Sequence, residues 1–203
     1  MKTTIYDWKN KIDENELKNT IDVINNGGIV IFPTDTVYGI ASNIDDEKAI
    51  SKLFELKGRN DNKPICVLTS SVIKIEKVAY IKNKELELIT KYMPGALTII
   101  LDKKEDISNR LTSNLQTIGV RIPNNEIALN ILKYIEKPLA TTSANLSGNQ
   151  PATKLEELVD EFNGKVDIII DGGITDLKQS STIIKVENNE IKVLREGTVK
   201  ILD

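Results

Sequence analysis

The fold of this chain is decided by one stretch, Gly27-Gly28-Ile29-Val30-Ile31-Phe32-Pro33-Thr34-Asp35-Thr36-Val37-Tyr38-Gly39. The glycine pair is typical of a helix end, because glycine adopts the left-handed backbone conformation without strain. The apolar run from Ile29 to Phe32 predicts a strand buried on both faces, and Pro33 ends it because proline has no N–H for the ladder. Polar residues follow at the strand's carboxyl end, where ligands bind in open α/β sheets. Two interpretations stay open: a ligand site, or a polar turn after a core strand.

Length and composition indicate a single α/β domain. The chain has 203 residues, of which 40% are hydrophobic and 28% are charged, so it can bury a sizeable core. Its net charge of −3 argues against a protein whose main task is to grip nucleic acid. No apolar run reaches the roughly 18 residues of a membrane span, and the first residues do not resemble a signal peptide. We therefore expect a cytoplasmic protein that does not contact membranes.

Two scarce residue types exclude whole classes of chemistry. The sequence has no histidine, which rules out Ser-His and Cys-His couples and histidine-ligated zinc. It has one cysteine, Cys66, within the apolar run Ile65-Cys66-Val67-Leu68, where a small core side chain is a better interpretation than a nucleophile. The P-loop and the glycine fingerprint of dinucleotide-binding folds are both missing from the sequence.

Hydrophobic patterning predicts helices that alternate with buried strands, which favours a mixed sheet with flanking helices. Helices are predicted over 13–26, 71–78, 84–92, 125–136 and 153–162, and another after an N-cap at Asp45 or Asp46. Strands are predicted over 29–32, 65–69, 96–101, 117–123, 166–170, 182–186 and 190–194, and a short strand begins at Leu139. Asn188-Asn189 joins the last two strands as a hairpin.

Three further stretches are candidates for a binding site, each with a plainer alternative. The loop 57–63 carries three cations, which fits either an anion site or a solvated surface loop. Arg121 interrupts an apolar strand, so it either pairs with a carboxylate or faces an anionic ligand. The hydroxyl-rich run 139–148 resembles a phosphate-binding nest, but capping and turn segments have the same composition. Only four of 27 basic residues are arginine, which makes Arg59, Arg110, Arg121 and Arg195 worth attention.

Taken together, these motifs resemble the TsaC/YrdC family of threonylcarbamoyl-AMP synthases. The similarity spans about residues 12–200 and is carried by five motifs in order: Pro33 to Gly39, Lys57-Gly58-Arg59 with Lys63-Pro64, Thr117 to Pro123, Ser143 to Gly148, and Arg195. The resemblance implies one YrdC-like domain over 1–203 that binds nucleotide and threonine. Its fold would be a twisted, open, mixed β-sheet with flanking helices and a concave, positively charged face.

The resemblance also implies an activity and a set of site residues. The enzyme would join L-threonine, bicarbonate or carbon dioxide, and ATP into threonylcarbamoyl-AMP and release pyrophosphate, as a step toward threonylcarbamoyladenosine in tRNA. Carried over by motif position, the residues that would hold threonine are Thr36, Arg121 and Thr141. Those that would hold ATP are Arg59, Lys63, Thr117, Ser143, Asn145 and Arg195, with Lys57 and Arg59 as the catalytic cations.

Cofactors and partners follow from the same resemblance. Mg²⁺ would accompany ATP, and Asp35 would either contact that metal through water or simply bond the turn. Direct tRNA contact would be weak, and separate proteins would transfer the product to tRNA. Glu196 follows Arg195 where many members have proline, a variation associated with a less characterised subgroup. The alternatives are an RNA-binding module on this fold, or a paralogue with another carbamoyl or amino-acid substrate.

Overall fold

Eleven strands form one mixed sheet in the computed structural model, which describes residues 2–58 and 63–201. Along the sheet the order is β1-β9-β2-β3-β8-β4-β7-β6-β10-β11, and β5 pairs with β6. The pairs β1/β9, β2/β9, β4/β7 and β6/β10 are parallel, whereas the other pairs are antiparallel. The strand bounds are β1 Thr4–Asp7, β2 Val30–Phe32, β3 Gly39–Asn43, β4 Cys66–Leu68, β5 Ala79–Tyr80, β6 Leu97–Lys103, β7 Thr117–Arg121, β8 Leu139–Ser143, β9 Ile168–Asp171, β10 Thr182–Glu187 and β11 Glu190–Arg195.

Helices connect these strands and begin at residues that satisfy their first N–H groups. Asp13 accepts from the N–H groups of residues 15 and 16, and Asp46 accepts from those of residues 48 and 49. Asn125 accepts from the N–H of Ala128 in the same way. The helix bounds are α1 Glu14–Asn25, α2 Glu47–Leu56, α3 Val72–Ile75, α4 Asn83–Tyr92, α5 Glu126–Tyr134 and α6 Glu156–Phe162.

The two faces of the sheet are covered unequally, and this positions the site. One face carries Ile40, Val67 and Val120 in a large core shared with apolar residues of α2, α4 and α6. The opposite face carries Val30 and Phe32 in a smaller core with residues of α1 and α5. Because side chains alternate along a strand, the second face continues across β8, β4, β7, β6 and β10. The helices α1 and α5 leave much of the second face uncovered over these five strands, which form its open half.

The predicted α/β class and mixed, open sheet are confirmed, whereas several element bounds are wrong. The strand predicted over 29–32 is β2. The predicted hairpin at Asn188-Asn189 joins β10 and β11, and its two turn residues have φ angles of 51° and 68°. Sequence patterning missed β1, β3 and β5, and it extended the helix at 71–78 beyond α3. The strand β3 escaped prediction because it reads Gly-Ile-Ala-Ser-Asn, which lacks the large β-branched pattern of its neighbours.

In residues 2–58 and 63–201, no helix combines the length and the apolar character that crossing a membrane requires.

Candidate active site

A cavity of about 410 Å³ occupies the open half of the second sheet face. It is lined by residues from the segment after β2 and from β3, β4, β6, β7, β8, β10 and β11. Six residues predicted from the sequence share its wall: Thr36, Lys63, Arg121, Thr141, Ser143 and Arg195. Motifs far apart in the sequence therefore meet in one cavity.

Arg121 lies in the cavity wall and is held by three contacts. Its Nε donates to the carbonyl of Gly95 at 2.9 Å, and its Nη1 donates to Thr36 Oγ1 at 2.8 Å. Its Nη2 donates to Asp35 Oδ1, and both partners are almost completely buried. Burial lowers the pKa of Arg121 from its ordinary value, and the charge of Asp35 opposes that shift. Both interpretations of Arg121 therefore apply, because it is paired with a carboxylate and also faces the cavity.

The guanidinium retains donors for a ligand. Arginine has five N–H donors, and the contacts within the described part of the chain use three of them. Two N–H groups are left, on a side chain that lines the cavity and stays charged at neutral pH. Such a fork fits a carboxylate.

The threonine-rich segment after β2 packs against this guanidinium. Thr36 is 1% exposed, and its Oγ1 lies 2.9 Å from Thr34 Oγ1 as well as accepting from Arg121. Across the cavity, Thr141 donates its hydroxyl to the carbonyl of Leu139 at 3.0 Å, which leaves its oxygen lone pairs as acceptors. The segment after β2 is thus both a turn and a part of the cavity wall.

Asp35 lies behind Arg121 and is held by contacts within the protein. Its carboxylate accepts from Arg121 and from the N–H of Asn124, and it is 4% exposed. Among residues 2–58 and 63–201 no group of three or more His, Cys, Asp or Glu side chains could hold a metal ion. The carboxylate therefore orients the guanidinium and the turn, and a contact of Asp35 with Mg²⁺ through water stays a prediction.

The predicted catalytic lysine braces the loop beside the cavity. Lys57 is 3% exposed and donates its ammonium to Ser143 O at 2.6 Å and to Asn145 Oδ1 at 2.8 Å. Asn145 in turn donates to the carbonyls of Leu146 and Asn149. Lys57 and Asn145 are not among the residues of the cavity wall, whereas Ser143 is. Direct contact of Lys57 or Asn145 with ATP therefore stays a prediction.

Two further predicted ATP residues are not placed in the cavity wall. Thr117 begins β7, four positions before Arg121, and lies beyond the cavity lining. Alternation along the strand puts it on the same face of the sheet. Arg59, predicted to be both catalytic and ATP-binding, lies outside the described residues.

Arg195 is directed to the cavity by a bulge between β10 and β11. Its Nε and Nη2 donate to the carbonyl of Ser181 at 3.1 and 2.8 Å, and Nη2 also contacts Ser181 Oγ. The following chain runs very close to this segment, because a Cβ on Gly197 would lie 2.4 Å from the carbonyl oxygen of Ser180. Glycine at 197 therefore permits the approach that holds Arg195 in place.

Sequence reasoning missed several residues of the cavity and misplaced one. Thr34, Thr98, Ser180 and Ser181 line it, although none was assigned a role. A signal for the serines was present, since the run Ser180-Ser181-Thr182 before β10 has the same hydroxyl-rich composition as 141–147. Cys66, expected in the core, is half-buried and lines the cavity.

The charge of the cavity wall is positive. Lys63, Arg121 and Arg195 all belong to it, and its lining within the described part of the chain includes no carboxylate residue. Asp35 lies behind Arg121 and compensates that guanidinium. The wall therefore suits an anionic ligand, with two cations in excess of the buried ion pair.

Comparisons with known proteins agree with this geometry. The Sua5/YciO/YrdC family model, described as "Telomere recombination", matches residues 22–197. The threonylcarbamoyl-AMP synthase of Pyrococcus abyssi is 36% identical over 196 residues, which cover 96% of this chain and 58% of that protein. A putative threonylcarbamoyl-AMP synthase of Methanocaldococcus jannaschii is 40% identical over 195 residues, covering 94% of this chain and 92% of that protein.

Solved structures show the same relationship. The structure of P. abyssi Sua5 complexed with L-threonine superposes with a TM-score of 0.92 at 36% identity, over 96% of this chain and 58% of the other. E. coli YciO, at 24% identity, shares the fold with a TM-score of 0.87 over 98% of both chains. The chain thus spans little more than half the length of the P. abyssi protein. Since the family model covers most of its residues, this chain belongs to the Sua5/YciO/YrdC family.

Proposed function

We propose that this chain is a threonylcarbamoyl-AMP synthase, which joins L-threonine, bicarbonate or carbon dioxide, and ATP and releases pyrophosphate. The observation that carries the proposal is the arrangement of cations in one cavity. Arg121 offers two N–H groups beside Thr36 and Thr141, while Lys63 and Arg195 add two positive charges to the same wall. An amino acid and a polyphosphate would therefore lie side by side. The names of the P. abyssi and M. jannaschii relatives support this reading.

The amino acid would be held at the Arg121 end of the cavity. Its carboxylate would accept from the two remaining N–H groups of the guanidinium, which is already oriented by Asp35 and Gly95. Thr36 and Thr141 would contact its polar groups, since both have acceptor lone pairs beside the cavity. The complex of P. abyssi Sua5 with L-threonine supports this choice of ligand.

ATP would be held by the remaining cations and by the loop after β8. Lys63 and Arg195 would contact phosphate oxygens. The Ser143 hydroxyl donates to Asn145 Oδ1 at 2.7 Å, and it would turn from there to donate to a phosphate oxygen. Lys57 and Asn145 would act by bracing that loop, through the contacts already described. Thr117 and Arg59 remain proposed ATP contacts on the strength of the family motif.

The chemistry fits a site without a protein base. The ammonium of threonine first loses a proton to water, and the free amine attacks the carbon of carbon dioxide; a second N–H proton then passes to water, which gives a carbamate anion. A carbamate oxygen then attacks the α-phosphorus of ATP, and the bond to pyrophosphate breaks as the new oxygen–phosphorus bond forms. The carbamate is already an anion, so this step requires positioning and charge stabilisation rather than proton removal. The absence of histidine from the sequence is consistent with that requirement.

Mg²⁺ would reach the site as a complex with ATP. Magnesium usually retains phosphate and water ligands, with one or two carboxylates from the protein. The described residues provide no carboxylate cluster, and Oδ1 of Asp35 accepts from both Arg121 and Asn124. The residues present do not fit a metal held by the protein alone. A weak contact with tRNA, and transfer of the product to tRNA by separate proteins, also remain proposals.

The test is a substrate-omission experiment. Purified protein is incubated with ATP, L-threonine, bicarbonate and Mg²⁺ while pyrophosphate release is followed and threonylcarbamoyl-AMP is identified by mass spectrometry. Release that depends on both threonine and bicarbonate supports the proposal. Release that depends on a different amino acid would indicate a paralogue. No release, together with tight RNA binding at moderate salt, would favour a binding module.

A further inference from the structure

Thr34 lies in the cavity wall beside the proposed substrate contact Thr36 and is almost completely buried. It follows β2, is 3% exposed, and its hydroxyl lies within hydrogen-bond distance of four groups. Thr34 Oγ1 donates to the carbonyl of Val37 at 2.6 Å and accepts from the N–H groups of Thr36 and Val37 at 3.1 and 3.3 Å. It also lies 2.9 Å from Thr36 Oγ1.

The two hydroxyl protons can be assigned from these contacts if the N–H groups of Thr36 and Val37 share one lone pair of Thr34 Oγ1, which leaves its other lone pair for Thr36 Oγ1. A hydroxyl has one proton, and a carbonyl oxygen can only accept, so the proton of Thr34 points to Val37. The proton between the two hydroxyls must therefore come from Thr36. Arg121 Nη1 occupies one lone pair of Thr36 Oγ1, because a guanidinium can only donate. Thr36 is left with one lone pair and no free proton.

We propose that Thr34 is a positioning residue that makes Thr36 an acceptor-only group, and that this lone pair receives an N–H of the substrate's amino group. The inference rests on the proposed function, because it takes L-threonine as the substrate. A carboxylate or hydroxyl lone pair facing Thr36 would be repelled, whereas an amine N–H is accepted. The amine is thereby oriented beside the carboxylate held by Arg121. Once the ammonium has lost a proton to water, the lone pair of the amine points away from Thr36 and is available to attack carbon dioxide.

A thermodynamic cycle tests this role by comparing the binding of two ligands to the wild type and to one variant. Dissociation constants of L-threonine and (R)-3-hydroxybutyrate, which lacks only the amino group, are measured by NMR titration for the wild type and for Thr34→Val. Valine keeps the shape of threonine and removes the hydroxyl, which frees the Thr36 proton to rotate toward the cavity. We expect L-threonine to bind about 2- to 12-fold more weakly, the equivalent of one hydrogen bond. The affinity for (R)-3-hydroxybutyrate should change by less than about twofold.

Two further variants separate this role from a simple loss of packing. Thr34→Ser keeps the hydroxyl and removes the methyl group, so it should retain the wild-type preference for L-threonine. Thr69→Val is the matched control, since Thr69 also follows a strand and is 1% exposed, but its hydroxyl contacts no partner within the described residues. It should change neither affinity. If Thr34→Val melts below the assay temperature, Thr34→Ala provides the same comparison.

The outcomes distinguish the inference from the proposed function. Equal losses for both ligands in Thr34→Val, or a loss of threonine binding in Thr34→Ser, would overturn the role assigned to Thr34. A wild-type protein that binds no L-threonine would overturn the proposed function itself. A selective loss of L-threonine affinity in Thr34→Val, with retention in Thr34→Ser, supports the inference.

Discussion

Replacement of Asp35 by alanine tests the buried ion pair that organises the cavity. Asp35 and Arg121 are 4% and 6% exposed, so alanine would leave a buried guanidinium without its counterion and the N–H of Asn124 without its acceptor. Removing one partner of a buried pair costs about 3–5 kcal/mol, because the remaining charge stays desolvated. For a chain of this size that corresponds to a fall in Tm of about 6–20 °C.

Urea denaturation followed by circular dichroism measures this loss. The matched control is Asp102→Ala, because Asp102 pairs with Lys82 at 2.7 Å while both side chains are at least half exposed. An exposed pair of this kind contributes about 0–1 kcal/mol. Asp35→Asn, which keeps the acceptor oxygen but not the charge, should fall between the two. Similar losses for the Asp35→Ala and Asp102→Ala variants would refute the reasoning.

Three further predictions address the proposed ATP contact of Arg195, the effect of pH and the stability of the fold. Arg195→Lys should lower kcat/KM for ATP about 10- to 150-fold by losing a charge-assisted bond, whereas Arg110→Lys, exposed and outside the cavity, should be near normal in the pyrophosphate assay. Burial raises the pKa of Tyr38, whose hydroxyl donates to Gly173. Its stabilisation is present below about pH 10 and declines above it by about 1.4 kcal/mol per pH unit, a slope that urea titrations of Tyr38→Phe should lack. Lys74→Met should reduce the free energy of unfolding by about 1.5–3 kcal/mol in urea titrations, because its ammonium donates to three carbonyls at the end of α5.

Each of these predictions has an outcome that contradicts it. Equal impairment of the Arg195→Lys and Arg110→Lys variants would contradict a phosphate contact for Arg195. A Tyr38→Phe variant with the wild-type slope above pH 10 would assign that slope to other groups. A Lys74→Met variant as stable as the wild type would show that water replaces the ammonium at those carbonyls without cost.

The fold could be predicted from the sequence where a local signal dominates. The apolar run ending at Pro33 gave a buried strand, and Asp46 gave the start of α2, because each depends on a few neighbouring residues. The strand β3 could not be predicted in this way. Its small residues become strand-forming only because β2 and β8 pair with them on either side. Whether such a segment forms a strand depends on its pairing with other strands, and a single sequence does not show which strands pair.

Several residues of the cavity wall could be predicted from the sequence, but the contacts between them could not. The scarcity of arginine directed attention to Arg121 and Arg195, and both line the cavity. The two interpretations of Arg121 looked exclusive in the sequence, yet one guanidinium serves both because its donors point in different directions. Lys57 carries a charge that suggests a ligand contact. Its ammonium bonds residues 86 and 88 positions away, a relation that no local pattern reveals.

The strongest unused signal was glycine within strands. Gly39 begins β3 and Gly119 lies inside β7, where glycine weakens a strand and often marks a close approach. A Cβ at Gly119 would lie 2.6 Å from the sulfur of Cys66, and one at Gly39 would lie 3.0 Å from a methyl group of Thr141. Side chains at either position would fill the floor of the cavity. The helices α1 and α5 stop covering the sheet where these glycines and the hydroxyl-bearing residues begin. Replacement of large apolar side chains by glycine, serine and threonine prevents a closed core on this face. The same replacement leaves room for a ligand.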